Sequence, residues 1–102
     1  MKLFIQIPCY NEEKTLSITL AALPKNVAGF DSVEVLIIDD GSSDDTVKVA
    51  KEFGVKHFVQ FSSNQGLARG FTEGLNYCLK MVLMWLSIPM QIINIMQTIY
   101  LN

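Results

Sequence analysis

Two short runs, Leu3–Ile7 and Val33–Ile38, are apolar but for one residue each, Gln6 and Glu34. They are too short for buried helices and rich in β-branched residues, so they read as strands. Strands apolar on both faces belong in the middle of a parallel sheet. Between them, Asn11 precedes Glu12 and Glu13, an Asx residue followed by acids, which reads as a helix start. Leu16, Leu20 and Leu23 then recur at helical spacing up to Pro24. After the second run, Ser43 or Asp44 is placed to cap another helix. Val47, Val49, Ala50 and Phe53 would turn inward and Gly54 would end it. His57–Phe61 reads as a third strand, Asn64–Gly66 as a turn and Leu67–Leu79 as a third helix, weakened by Gly70 and Gly74. The order β-α-β-α-β-α implies a doubly wound parallel sheet with right-handed crossovers. Ligands of such sheets bind beyond the carboxyl ends of the strands. Pro8–Glu12 and Asp39–Ser43 fall there.

Charge divides the chain in two. All 18 charged residues lie between Lys2 and Lys80, and none lies between Met81 and Asn102. The formal net charge of −2 gives no basic footprint for nucleic acid. Cys9 and Cys78 fit no disulfide or zinc pattern, and a reducing cytosol is the simplest setting for them.

Three segments carry a family likeness. Ile7-Pro8-Cys9-Tyr10-Asn11-Glu12-Glu13 resembles the opening motif of family 2 glycosyltransferases. The stretch from Val35 to Thr46, with Asp39-Asp40-Gly41-Ser42-Ser43-Asp44 at its centre, resembles the second motif. Asn64-Gln65-Gly66-Leu67-Ala68-Arg69-Gly70 resembles the third, in the form found where sugars pass to polyprenyl phosphates, akin to dolichyl-phosphate mannosyltransferase. The motifs stand in order over residues 1–80. The resemblance implies the nucleotide-binding half of a GT-A fold, a truncated doubly wound parallel sheet. It also implies an inverting transfer from a UDP- or GDP-sugar and a place at the cytoplasmic membrane face. The nucleotide contacts it implies are Pro8, Tyr10, Glu12, the Ile37 backbone, Asp39 and Arg69.

The residue chemistry agrees with those assignments. Tyr10 offers a face on which a base stacks, Asp39 accepts from a base N–H, and Glu12 is able to receive a ribose hydroxyl. Pro8 fixes the entering backbone, and Gly41 lets the chain turn at positive φ close to a ligand. Taken singly, each has a plainer reading. Tyr10 would be a half-buried aromatic, Asp39-Asp40-Gly41 a turn, Asp44 and Asp45 helix-start charges, and Arg69 a solvated helix charge. His57 is expected to be a satisfied strand residue without a role.

In this family Mg2+ or Mn2+ is carried by an Asp-x-Asp at the end of a later strand. No Asp or Glu follows Glu73. This chain is therefore expected to have no metal site, no catalytic base and no measurable transferase activity. Residues 81–102 read as a membrane helix, as a core helix kinked at Pro89, or as a frameshifted product. The third reading accounts for most. Met and Trp have single codons, so two bases on in the DNA the Met81–Val82 junction gives Gly, Met84–Trp85 gives Val and Met90–Gln91 gives Ala. The permitted reading includes G-A-D-V-V-I-D-T-D-A-D-N-Q-Y, the family's next strand with its metal motif. Against the transferase lineage stand two other classes: a non-catalytic nucleotide-binding half-domain, and a membrane-associated fragment held by its uncharged tail.

Overall fold

A computed structural model describes residues 1–85 and 88–95. The elements are β1 (Lys2–Cys9), α1 (Leu16–Ala22), β2 (Ser32–Asp39), α2 (Thr46–Glu52), β3 (His57–Gln60), α3 (Leu67–Met84) and β4 (Met90–Asn94). The sheet has the order β3-β2-β1-β4, with every neighbouring pair parallel. This is the expected doubly wound sheet. Cys9 pairs with Asp39 and Asp39 with Gln60, so the first three strands end flush. Their loops start from one line.

Each face of the sheet has its own core. Leu3, Ile5, Ile7, Cys9 and Ile37 face α1 and α2, where Leu16, Leu20 and Ala50 meet them. Phe4, Leu36 and Ile38 face α3 and pack with Cys78 and Trp85. Cys9 and Cys78 are both buried, one in each core. The small residues Gly70, Gly74 and Cys78 form the buried stripe of α3. A Cβ on Gly70 would stand 3.1 Å from Ile38, and one on Gly74 only 2.1 Å from Gln6 Oε1. These glycines bring the helix down onto the sheet, which offsets their weak helix propensity.

Several local expectations need correction. The first helix begins at Leu16, not Asn11, because Asn11 is engaged with the second loop, as described below. Phe53 is 49% exposed rather than inward, being the C-cap residue after α2 has ended. Gly54, at φ +88°, does end that helix. The third strand closes at Gln60 rather than Phe61, and the third helix runs past Leu79 to Met84.

The largest correction concerns the uncharged stretch. Met81–Met84 is helical, but Met90–Asn94 is a strand. Pro89 has no N–H and cannot continue a helix. Its carbonyl instead accepts from the Lys2 N–H at 2.8 Å, and Ile95 N–H donates to the Gln6 carbonyl at 2.9 Å. The free edge of β1 thus gains the partners a buried strand requires. β4 is thus the edge of the sheet on this side. Among the described residues no helix is long and apolar enough to cross a membrane.

Candidate functional site

The three motifs leave the carboxyl ends of β1, β2 and β3 and are tied to one another there. Asn11 makes the first tie. It holds φ +52°, the left-handed region that Asn tolerates better than most residues. Its N–H donates to Ser42 Oγ at 2.9 Å, and its Oδ1 accepts from the Ser43 N–H at 2.8 Å. The first loop is thereby stitched to the second. A parallel stitch runs from the Glu12 N–H to Thr46 Oγ1 at 2.9 Å and from the Glu13 N–H to Asp44 Oδ2 at 3.2 Å. Asp44 also accepts from the Thr46 N–H and hydroxyl. The cap expected at Ser43 or Asp44 falls at Asp45 instead, and Asp44, one residue before it, serves as a clamp between the loops. Burial pushes its carboxyl up, but hydrogen bonds from Thr46 and the Glu13 backbone outweigh this and hold it below the usual range.

Gly41 is needed for a different approach from the one expected. At φ +79° its Cα lies against the third loop, and a Cβ would fall 2.5 Å from the Ser63 carbonyl carbon. The contact is between loops of the chain, and its neighbour Asp40 reaches the same segment.

Within this frame the predicted residues take different positions. Tyr10 stands at the end of β1, 41% exposed and open to a ligand. Pro8 is buried in β1 opposite Ile38. Asp39 ends β2 at 5% exposure, its Oδ1 accepting from the Ser42 N–H at 3.1 Å. Ile37 is fully buried between Ile7 and Phe58, inside the ladder and short of the open end. Glu12 is 2% exposed, and its Oε2 accepts from the Thr15 hydroxyl at 2.9 Å. Burial, with the nearby Asp44 charge, raises its pKa against lowering hydrogen bonds from Thr15 and the Tyr10 backbone. A ribose contact requires Glu12 to turn from one of these partners. Arg69 lies in the first turn of α3, exposed, with Nε 3.6 Å from Glu73 Oε1. Such an exposed pair is weak, and the guanidinium is available to an anion.

Asn11, Asp40 and Asp44 are structural members of the site that the motif reading left without these roles. The signal for Asn11 was its residue type at a tight strand exit; nothing local marked its partners more than thirty residues away. His57 bonds Tyr77 Oη at 2.7 Å through Nδ1 and Glu34 Oε1 at 3.0 Å through Nε2, and it lies at the amino end of β3, level with Leu36. It is satisfied, as expected. A cavity of about 560 Å3 also opens at that end, lined by Leu23, Val33, Val55 and His57 among others. Of the three motifs only Val35, the first residue of the second, lines it.

No group of three or more metal-ligating side chains occurs among the described residues. At β4 the donor chemistry does not fit a divalent ion, since Met90–Asn94 contains no carboxylate.

Fold and loops define an open α/β domain of the kind that takes its ligands beyond the carboxyl ends of its parallel strands. The chain belongs to glycosyl transferase family 2, whose sequence model matches residues 4–87. It is 36% identical over 72 residues to a poly-beta-1,6-N-acetyl-D-glucosamine synthase of Staphylococcus epidermidis, covering 68% of this chain and 17% of that protein. It is 37% identical over 78 residues to a glucosyl-3-phosphoglycerate synthase of Petrotoga mobilis, covering 72% and 23%. The chain thus spans less than a quarter of either relative. In structure it resembles residues 1–349 of TarS from S. aureus, with TM-score 0.57 and 20% identity over 92% of this chain and 27% of that one. It also resembles the mannosyltransferase PcManGT of Pyrobaculum calidifontis, solved with GDP-Man and Mn2+. There the TM-score is 0.53 and the identity 22%, over 74% and 24% of the two chains.

Proposed function

We propose that this chain carries the nucleotide-recognition crevice of a sugar transferase and binds a UDP- or GDP-sugar without transferring it. The observation that supports this best is the joining of three distant motifs at the one end of the sheet where such folds take ligands. Tyr10 stacks on the base, Asp39 accepts from its imide N–H, and Arg69 leaves Glu73 for the phosphates. Glu12 holds the Tyr10 backbone and turns to a ribose hydroxyl. Pro8 and the Ile37 backbone support these residues from within the sheet. Mg2+ or Mn2+ belongs to the longer parent enzyme, where it would offset charge on the leaving diphosphate. This chain's β4 brings no carboxylate to hold it.

Calorimetric titration of the purified chain with UDP and GDP tests the reading. Saturable binding is expected, weakened roughly tenfold by Tyr10→Ala, since base–aromatic stacking contributes about 1–3 kcal/mol. Absence of saturable binding rejects it, and release of nucleotide from a UDP- or GDP-sugar rejects the non-catalytic part.

For the parent's acceptor we propose a polyprenyl phosphate, on the likeness of Asn64–Arg69 to that branch, with work at the cytoplasmic membrane face. Exposed Leu83 and Met84, inside the uncharged stretch, favour membrane association of this chain itself. Vesicle co-sedimentation should then be lost on removing residues 81–102. The same stretch is, in this account, the family's next strand read out of frame after Lys80. Sequencing the locus decides this, because an alternative frame closed by stop codons contradicts it.

A further inference from the structure

The adjacent aspartates of the second motif face different ways. Asp39 Oδ1 is used inside its own loop, by the Ser42 N–H. Asp40 reaches out of it. Its Oδ1 accepts from the Gln65 N–H at 2.6 Å and its Oδ2 from the Gly66 N–H at 3.0 Å. Its own N–H donates to the Cys9 carbonyl at 2.9 Å. One residue therefore touches the ends of β1, β2 and the loop entering α3. That loop has little else to hold it. Ser62 to Gln65 are exposed, and the Gln65 side chain bonds only within the loop, to Ser63. Gly66, at φ +91°, then swings the chain into α3 and has no side chain to cap it. The close approach of Gly41 to Ser63 and Asn64 sets the distance across which Asp40 acts.

We infer that Asp40 is a positioning residue: it latches the entrance of α3 to the second motif and so fixes where Arg69 stands over the crevice. The two bonds are charge-assisted and bidentate, the geometry in which a carboxylate orients a backbone best. Arg69 lies one turn beyond the latched amides. Its ion pair with Glu73 lies within α3 and moves with the helix, so it gives no anchorage to the sheet. The ligand part of this inference rests on the nucleotide reading above.

Amide exchange and nucleotide titration on Asp40→Ala and Asp40→Asn test it. In Asp40→Ala the Gln65 and Gly66 amides should exchange at least about tenfold faster, while β1 and β2 amides stay protected. Asp40→Asn, keeping one acceptor oxygen, should fall between. UDP or GDP affinity should drop about tenfold in Asp40→Ala, the effect of losing roughly one charged hydrogen bond's orientation. In an Arg69→Ala background the same change should cost less than about twofold, a coupling that mere destabilisation would not produce. Unchanged exchange at Gln65 and Gly66 overturns the latch. Full additivity with Arg69→Ala overturns its action on the nucleotide. Faster exchange in a chain that binds no nucleotide at all keeps the latch and rejects the function proposed above.

Discussion

The loops at the ends of β1, β2 and β3 differ from the β4 margin in what specifies them. In the loops, named side chains do the specifying. Asn11, Asp40 and Asp44 each hold backbone amides of another loop, and Gly41 permits an approach no other residue fits. At β4 the backbone does it. Met90–Asn94 pairs with Lys2–Gln6, Ile92 joins the core beneath α3, and Ile93 is left 40% exposed. An uncharged segment with two β-branched residues meets those demands whatever its origin. A strand slot beside a buried β1 is therefore permissive, while a loop tied to its neighbours by named side chains is exacting.

Gly41→Ala should do the most damage, about 2–4 kcal/mol in denaturant unfolding. It combines a left-handed residue with a backbone clash at Ser63. A loss below about 0.5 kcal/mol would show the loops to be as permissive as the margin. Gln6→Met should act in the other direction. Gln6 is fully buried beneath Gly74 with neither amide atom hydrogen-bonded. Replacing it with an apolar residue of similar length should raise stability by about 1–2 kcal/mol; a loss instead would mean the amide has an ordering role.

Glu12 gives a pH signature. Its carboxyl titrates above its ordinary 4.5, with burial the main cause. The folded chain thus holds this proton more tightly than the unfolded chain. Stability contributed by Glu12 is present below the ordinary value and declines as pH rises through the raised one. Asp44, lowered, works in the opposite sense, its contribution being lost as pH falls through its depressed value. In Glu12→Gln, the decline just above pH 4.5 should flatten in urea titrations at stepped pH. An unaltered profile would assign it elsewhere. The smallest effect belongs to β4: Gln91→Thr, on its exposed surface, should change stability by no more than about 0.5 kcal/mol. A larger change would make the margin as exacting as the loops.

The same contrast explains what the sequence disclosed. Apolar runs and helical spacing gave three strands, three helices and their parallel order, because burial alone sets those. The motifs put Tyr10 and Asp39 at the strand ends. Asn11 looks like a local cap, yet α1 starts at Leu16, because the partners of Asn11, Ser42 and Ser43, come from another loop. The glycines of α3 looked like weaknesses, since only the packed structure shows Gln6 and Ile38 beneath them. The fourth strand was invisible for the opposite reason. An apolar stretch without period carries no mark of helix or strand, and its pairing with β1 decided the matter.

The central claim is that the three tied loops form a nucleotide crevice and the β4 margin takes no part in it. Titrating the isotopically labelled chain with UDP and GDP, and following its backbone amides by NMR, tests this directly. Saturable shifts are predicted at Tyr10–Glu12, Asp39–Ser42 and Gln65–Arg69, with Met90–Asn94 unmoved. No saturable shift, or shifts centred on Glu34, His57 and Tyr77 at the other end of the sheet, would contradict it.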